Sequence, residues 1–151
     1  MKIVLASDHA GFKLKMEVLS HLRARGIECD DVGCYSEDRV DYVEFGETAM
    51  KKLISGEYDR AILVCGTGLG MTIVANKFRG ARATPCLDEY MAEMSRAHND
   101  SNCLTLGGRI LPKDEAFLVV DVWLDTDFEG GRHKDRLAKI GELEERNFKQ
   151  A

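Results

Sequence analysis

An α/β/α sandwich, Rossmann-like and built on a five-stranded parallel sheet, is the fold class this sequence predicts. Three observations predict it. Short β-branched runs alternate with longer amphipathic stretches, the run Asp59 to Cys65 (DRAILVC) is apolar through its centre as a strand buried on both faces must be, and glycines stand where helices should end. The 151 residues, 44% of them apolar, suffice for one core and are expected to form a single domain over 1–151.

Lys2 to Ser7 reads as the first strand. Lys13, Leu14, Met16, Val18, Leu19 and Leu22 then recur at helical spacing until Gly26, and Ile27 to Val32 resumes as the second strand. Past a loop over Gly33 to Asp41, a second helix runs from Tyr42 to Ile54 and stops at Gly56. Asp59 to Cys65 is the third and central strand, Leu69 to Phe78 the third helix, and Ala81 to Cys86 a short fourth strand. Asp88 can N-cap a helix that runs to Ala97, with Asp88, Glu89 and Glu93 near its positive end. Cys103 to Leu106 is the fifth strand. Helices over Lys113 to Leu124 and Gly131 to Phe148 follow, the last highly charged but carrying apolar Leu137, Ile140 and Leu143. Ligands in such sheets gather at the carboxyl ends of strands, which groups Ser7 to His9, Cys65 to Gly70, His98 and the turn after Leu106.

Composition removes several classes of partner. A net charge of −5 is the wrong sign for neutralising many phosphates, so no nucleic acid is expected. The N-terminal apolar run, Ile3 to Ala6, is too short for a signal peptide or a membrane span, so no membrane partner and a cytoplasmic location are expected. Five cysteines without a C-x-x-C pair fit a reducing compartment rather than a disulfide framework or zinc knuckle. His9, His21, His98 and His133 show neither H-x-H nor H-x-x-x-H spacing, so neither a metal nor another cofactor is expected.

The segment Cys65-Gly66-Thr67-Gly68-Leu69-Gly70-Met71 leaves the central strand and enters a helix. Its glycines let backbone N–H groups approach an anion, and the helix dipole favours negative charge there. No Lys-Ser/Thr follows, as a P-loop requires, and Met71 stands where a cysteine phosphatase loop needs Arg. Cys65 is open to two readings: a base or nucleophile at a helix N-terminus, or a small core residue ending a buried strand. Asp8 and His9 form an acid and imidazole pair, or an N-cap with a solvated neighbour. His98 and Asn99 offer a proton donor and an oxyanion donor, or a helix C-cap. Arg132 and Arg136 stand at i and i+4 behind Gly130 and Gly131, matching a phosphate, or simply forming a solvated charged face with Asp135 and Glu142. A flavodoxin-like phosphate-binding module and a thiol hydrolase are the other classes these loops admit. The first does not need Cys65, and the second lacks its arginine.

Taken in order, SDHAGF at 7–12, DY at 41–42, CGTGLGM with ANK at 65–77, SRAHND at 95–100, GGR at 107–109 and EGGRHKDR at 129–136 resemble the ribose-5-phosphate isomerase B family over nearly the whole chain. That family also isomerises allose, galactose and other sugar phosphates. The resemblance implies a five-stranded α/β/α homodimer, or a larger assembly up to a tetramer, with sites at the subunit interface and a sugar phosphate as substrate. It implies Cys65 as the base that moves the carbon-bound proton and Thr67 as the group that moves a proton between O1 and O2. Amides of Gly66 to Gly70, including Gly68, would form the oxyanion hole with Asn99. Asp8 and His98 would assist ring opening, Arg132, Arg136, His9 and Arg109 would hold the phosphate, and Tyr42 would line the site. Five residues bear on the family pattern. Val43 stands where Pro often follows Asp-Tyr, Thr84-Pro85 interrupts a usually apolar segment, and Ala75 and Asn76 occupy the turn where some members carry a Glu base.

Overall fold

A computed structural model describes residues 1–148, so residues 149–151 of the expected domain lie outside the described residues. Five parallel strands, β1 (Lys2–Ser7), β2 (Glu28–Asp31), β3 (Arg60–Cys65), β4 (Ala83–Pro85) and β5 (Cys103–Gly107), pair in the order β2-β1-β3-β5-β4. Six helices cover them: α1 (Phe12–Ala24), α2 (Tyr42–Ile54), α3 (Leu69–Ala75), α4 (Glu89–Ala97), α5 (Lys113–Asp125) and α6 (Arg132–Asn147). The expected Rossmann-like α/β/α sandwich is therefore the observed one. Among the described residues no helix is long and apolar enough to cross a membrane.

The apolar centre of β3 occupies the middle of the sheet, and its alternate side chains feed two cores. Ile62 and Val64 join Ile3, Leu5, Val18, Leu22, Leu104 and Trp123 on one face, under α1 and α5. Ala61, Leu63 and Cys65 join Val4, Ala6, Met50 and Met71 on the other, under α2 and α3. The edges are blunted. β2 carries Glu28, Asp30 and Asp31, and Pro85 is tolerated because β4 is an edge strand with only one ladder to serve.

Element ends differ from the sequence reading where side chains intervene. α3 stops at Ala75 rather than Phe78, because Asn76 turns to clasp β4, its side chain accepting from and donating to the backbone of Ala83 at 2.9 Å each way. β4 shrinks from the expected 81–86 to three residues, since Arg82 gives its N–H to the Asn102 side chain instead of to a ladder. In α1, Lys13 and Met16 are exposed, and the buried face is Leu14, Lys15, Val18, Leu19 and Leu22. Lys15 is fully buried. Its ammonium meets Asp31 Oδ1 at 2.7 Å and the Cys34 carbonyl, and it lies over the Phe12 and Tyr35 rings.

Asp88 caps α4 as expected, its Oδ1 accepting the Met91 N–H at 2.8 Å. Asp88→Ala should cost about 1 kcal/mol of folding free energy, lowering Tm by a few degrees at this chain length. Calorimetry checks it, and an unchanged Tm would mean the cap contributes nothing.

α6 is the exception to the layered packing. Its single buried residue is His133, near its start. Its far end is held by contacts with the segment before β4: Glu144 accepts the Gly80 N–H, and Arg79 meets Glu145 and the Phe148 carbonyl. Between these anchors Ile140 and Leu143 are half exposed.

Candidate active site

At the carboxyl ends of β1, β3 and β5 three loops are laced together by backbone. Asp8 donates its N–H to Val64 O, Gly108 to Cys65 O at 2.7 Å, and Arg109 to Gly66 O at 3.0 Å. Such crossings require glycine. A Cβ on Gly11 would lie 2.4 Å from Val64 O, and one on Gly108 would lie 2.7 Å from Ala10 O.

Cys65 ends β3 buried, and the Gly68 N–H is aimed at its Sγ at 3.1 Å. Gly68 takes φ +81°, the left-handed turn that lets the chain swing from strand to helix while pointing this amide back at the sulfur. The amide is thus spent on Cys65 itself, and the Leu69 N–H goes to Thr67 Oγ1 at 3.3 Å. The expected oxyanion loop is therefore in part a cradle for the thiol. Arg109 lies over Gly66, and Tyr42 leans so closely on Gly70 that a Cβ there would sit 2.8 Å from its ring.

Beside this loop, Asp8, His9, Arg39, Val40, Asp41 and Tyr42 line an open cleft of about 580 Å³. Asp8 is buried, and its Oδ1 accepts the Gly11 N–H at 3.0 Å. It closes the turn before α1, whose N-cap is Gly11, and it also lines the cleft. His9 is not merely solvated: its Nδ1 accepts the Val40 N–H at 3.2 Å, which in the neutral ring leaves the proton on Nε2. Arg39 also lines this cleft. It is an exposed cation between Asp38 and Asp41, which in sequence reads as a loop charge.

The remaining predicted residues lie elsewhere, which corrects the grouping of His98 with the strand carboxyl ends. α4 begins at the carboxyl end of β4 and runs back across the sheet, so its C-cap His98 comes out at the opposite edge. There the Arg82 Nε donates to the carbonyls of Asn99 and Asp100. Asn102, two residues on, accepts from Ala61 at the start of β3. Six residues of β3 separate the two ends by ~17 Å, so one chain does not bring His98 and Asn99 to Cys65.

Around His98 a second cluster forms. The His133 ring stacks on it with centroids 4.1 Å apart and planes 13° from parallel. Glu129 Oε2 stands 3.9 Å from His98 Nε2 and 3.5 Å from His133 Nε2. Arg132 and Arg136 project, exposed, from the same end of α6. Burial, reinforced by the charge of His98, pushes the His133 imidazole below its ordinary pKa. The spacing rule that argued against metal ligands overlooks this convergence of His98, Glu129 and His133, which distant loops bring within 4.8 Å. The two rings are nearly parallel, so their lone pairs run side by side instead of meeting at one point, as ligands of a single ion must.

Comparison with known proteins identifies the family. A family model described as Ribose/Galactose Isomerase matches residues 3–140. Ribose-5-phosphate isomerase B of Escherichia coli is 44% identical over 145 residues, 96% of this chain and 97% of its own. A 4-deoxy-4-sulfo-D-erythrose isomerase of a Clostridium species is 40% identical, with 99% of each covered. Among solved structures, ribose-5-phosphate isomerase B of Clostridium thermocellum is 49% identical with a TM-score of 0.95, covering 97% of this chain and 99% of that one. The Mycoplasma genitalium enzyme, solved with bound ribulose-5-phosphate, is 35% identical with a TM-score of 0.91 and 97% of each chain covered. A family match over residues 3–140, with relatives this similar over nearly their whole length, leaves one assignment: the chain belongs to the ribose/galactose isomerase family.

Proposed function

We propose that this protein is an aldose–ketose isomerase that interconverts ribose 5-phosphate and ribulose 5-phosphate through an enediolate, without a cofactor, as a homodimer in the cytoplasm. The observation that carries the reading is the glycine loop that seats the Cys65 thiol against a backbone N–H beside a cleft lined by Asp8 and His9. Cys65 takes the proton from one carbon and returns it to its neighbour, and Thr67 moves the matching proton between O1 and O2. The remaining amides of the loop and Asn99 hold the oxyanion, a device worth about 2.7–4 kcal/mol per donor. Asp8 and His98 open the ring. Arg132, Arg136, His9 and Arg109 grip the phosphate, and Tyr42 walls the cleft. Proton transfer of this kind is complete with side chains alone. Five unpaired thiols support a reducing compartment.

Two half-sites at opposite ends of one sheet support the dimer: the reaction needs both, and a second copy supplies the missing half to each. The half-exposed Ile140 and Leu143 of α6 give that copy an apolar strip to cover. Incubation with ribose 5-phosphate in the presence of EDTA should yield ketose. The sulfo-sugar relative makes tetroses the comparison substrates, and no product from any aldose phosphate would end the proposal. Cys65→Ala and Arg136→Ala subunits, each crippled alone, should recover activity when mixed, because one of the two sites in a heterodimer then carries neither change. Verified heterodimers without recovery would put both residues in one site of one chain.

A further inference from the structure

Resting on the reading of His98 as a ring-opening group, we propose that His133 is the positioning residue for His98: its buried ring fixes the plane of the His98 imidazole, so that the imidazole delivers its proton to the sugar along one direction. Furanose opening breaks the C1–O4 bond, with the electron pair going to O4. O4 takes a proton from His98, and O1 gives its proton to Asp8 as it becomes the carbonyl oxygen, so the sugar gains and loses one proton. The donor must then point its N–H along one direction, and an imidazole at a helix C-cap has only its χ angles to hold it.

The observations converge on this task. His133 is 5% exposed although it sits in the first turn of a charged, otherwise exposed helix. Its ring lies flat on His98 at 4.1 Å. The segment carrying Glu129 is tied to the end of α4 by the Glu129 N–H, which donates to the Ala97 carbonyl at 3.0 Å, so carboxylate, His133 and His98 share one rigid corner. The His133 N–H in turn donates to Gly130 O at 3.0 Å, closing the turn that begins α6. Burial, the charge of His98 and the neighbouring arginines disfavour the charged form of His133, which suits its ring to positioning rather than to proton delivery.

The test separates ring opening from carbon-proton transfer. Ribulose 5-phosphate has its O5 esterified and therefore no furanose form, so exchange of its C1 hydrogen in D2O needs the base and oxyanion donors but no ring opening. His133→Ala should lower kcat for ribose 5-phosphate by about tenfold or more while leaving that exchange within about twofold of wild type, the intact exchange also reporting a folded protein. His133→Phe keeps the stacked ring and should restore kcat to within about threefold. Equal loss in both reactions, no loss in either, or no rescue by phenylalanine overturns the proposal. His98→Ala provides the separate control. If it too slows exchange and isomerisation equally, the ring-opening reading of His98 fails; if it is selective and His133→Ala is not, the positioning role alone fails.

Discussion

Cys65→Ala should fold normally and lose at least about a thousandfold in kcat, because general acid–base groups contribute about 10²–10⁴ and this thiol has no rival on its loop. The last turn of α3, where a substitute base would have to stand, holds Ala75, which is buried in the core, followed by Asn76, whose amide is committed to Ala83. Loss of the thiol frees the Gly68 N–H but removes no contact between strands, so the sheet should be intact. Titration calorimetry with ribulose 5-phosphate should find affinity within a few-fold of wild type, since the interactions lost belong to the transition state. A variant that keeps more than a tenth of its kcat would move the base elsewhere, with His9 in the same cleft the first to examine.

The largest effect on stability is expected at Asp31. Lys15 is fully buried with Asp31, itself 12% exposed, as its carboxylate partner, so Asp31→Ala strands an ammonium in the interior. Breaking such a pair costs about 3–5 kcal/mol, a large share of the roughly 5–15 kcal/mol that holds a domain together. Urea unfolding measures it. Lys15→Met added to the same variant should recover much of the loss, because an apolar chain of similar length needs no partner. A loss under 1 kcal/mol in the single variant would mean that water or the Cys34 carbonyl suffices for the charge.

Lys15 also marks where reading a sequence fails. Its neighbours Leu14, Val18, Leu19 and Leu22 announce the buried face by spacing, but a lysine inside that face looks like the exposed Lys13 until the partner from β2 is known. The strands and helices were legible because each carries its own signal: the apolar centre of β3, the Asp88 cap and the positive-φ glycines Gly26 and Gly56 after α1 and α2. The Cys65 loop was legible for the same reason, as its glycines and thiol are adjacent. The separation of His98 from the Cys65 loop was not. That His98 emerges at the amino edge follows from the direction of α4, a property of the whole crossover. The burial of His133 depends on a loop folding over it from Glu129, and the sequence around it reads only as charge.

The two-point attachment of α6 means that the ladder of local openings in this molecule has a definite lowest rung. Secondary structure held by few buried contacts opens at a small fraction of the global unfolding free energy, and between His133 and Glu144 this helix has no buried side chain. Amide hydrogens there should trade with solvent long before those of β3 do. Because Arg132 and Arg136 ride on this helix, the phosphate grip proposed for them would be lost in an isolated chain while every strand stays paired, and anything that clamps α6 in place would raise anion affinity without touching the anion.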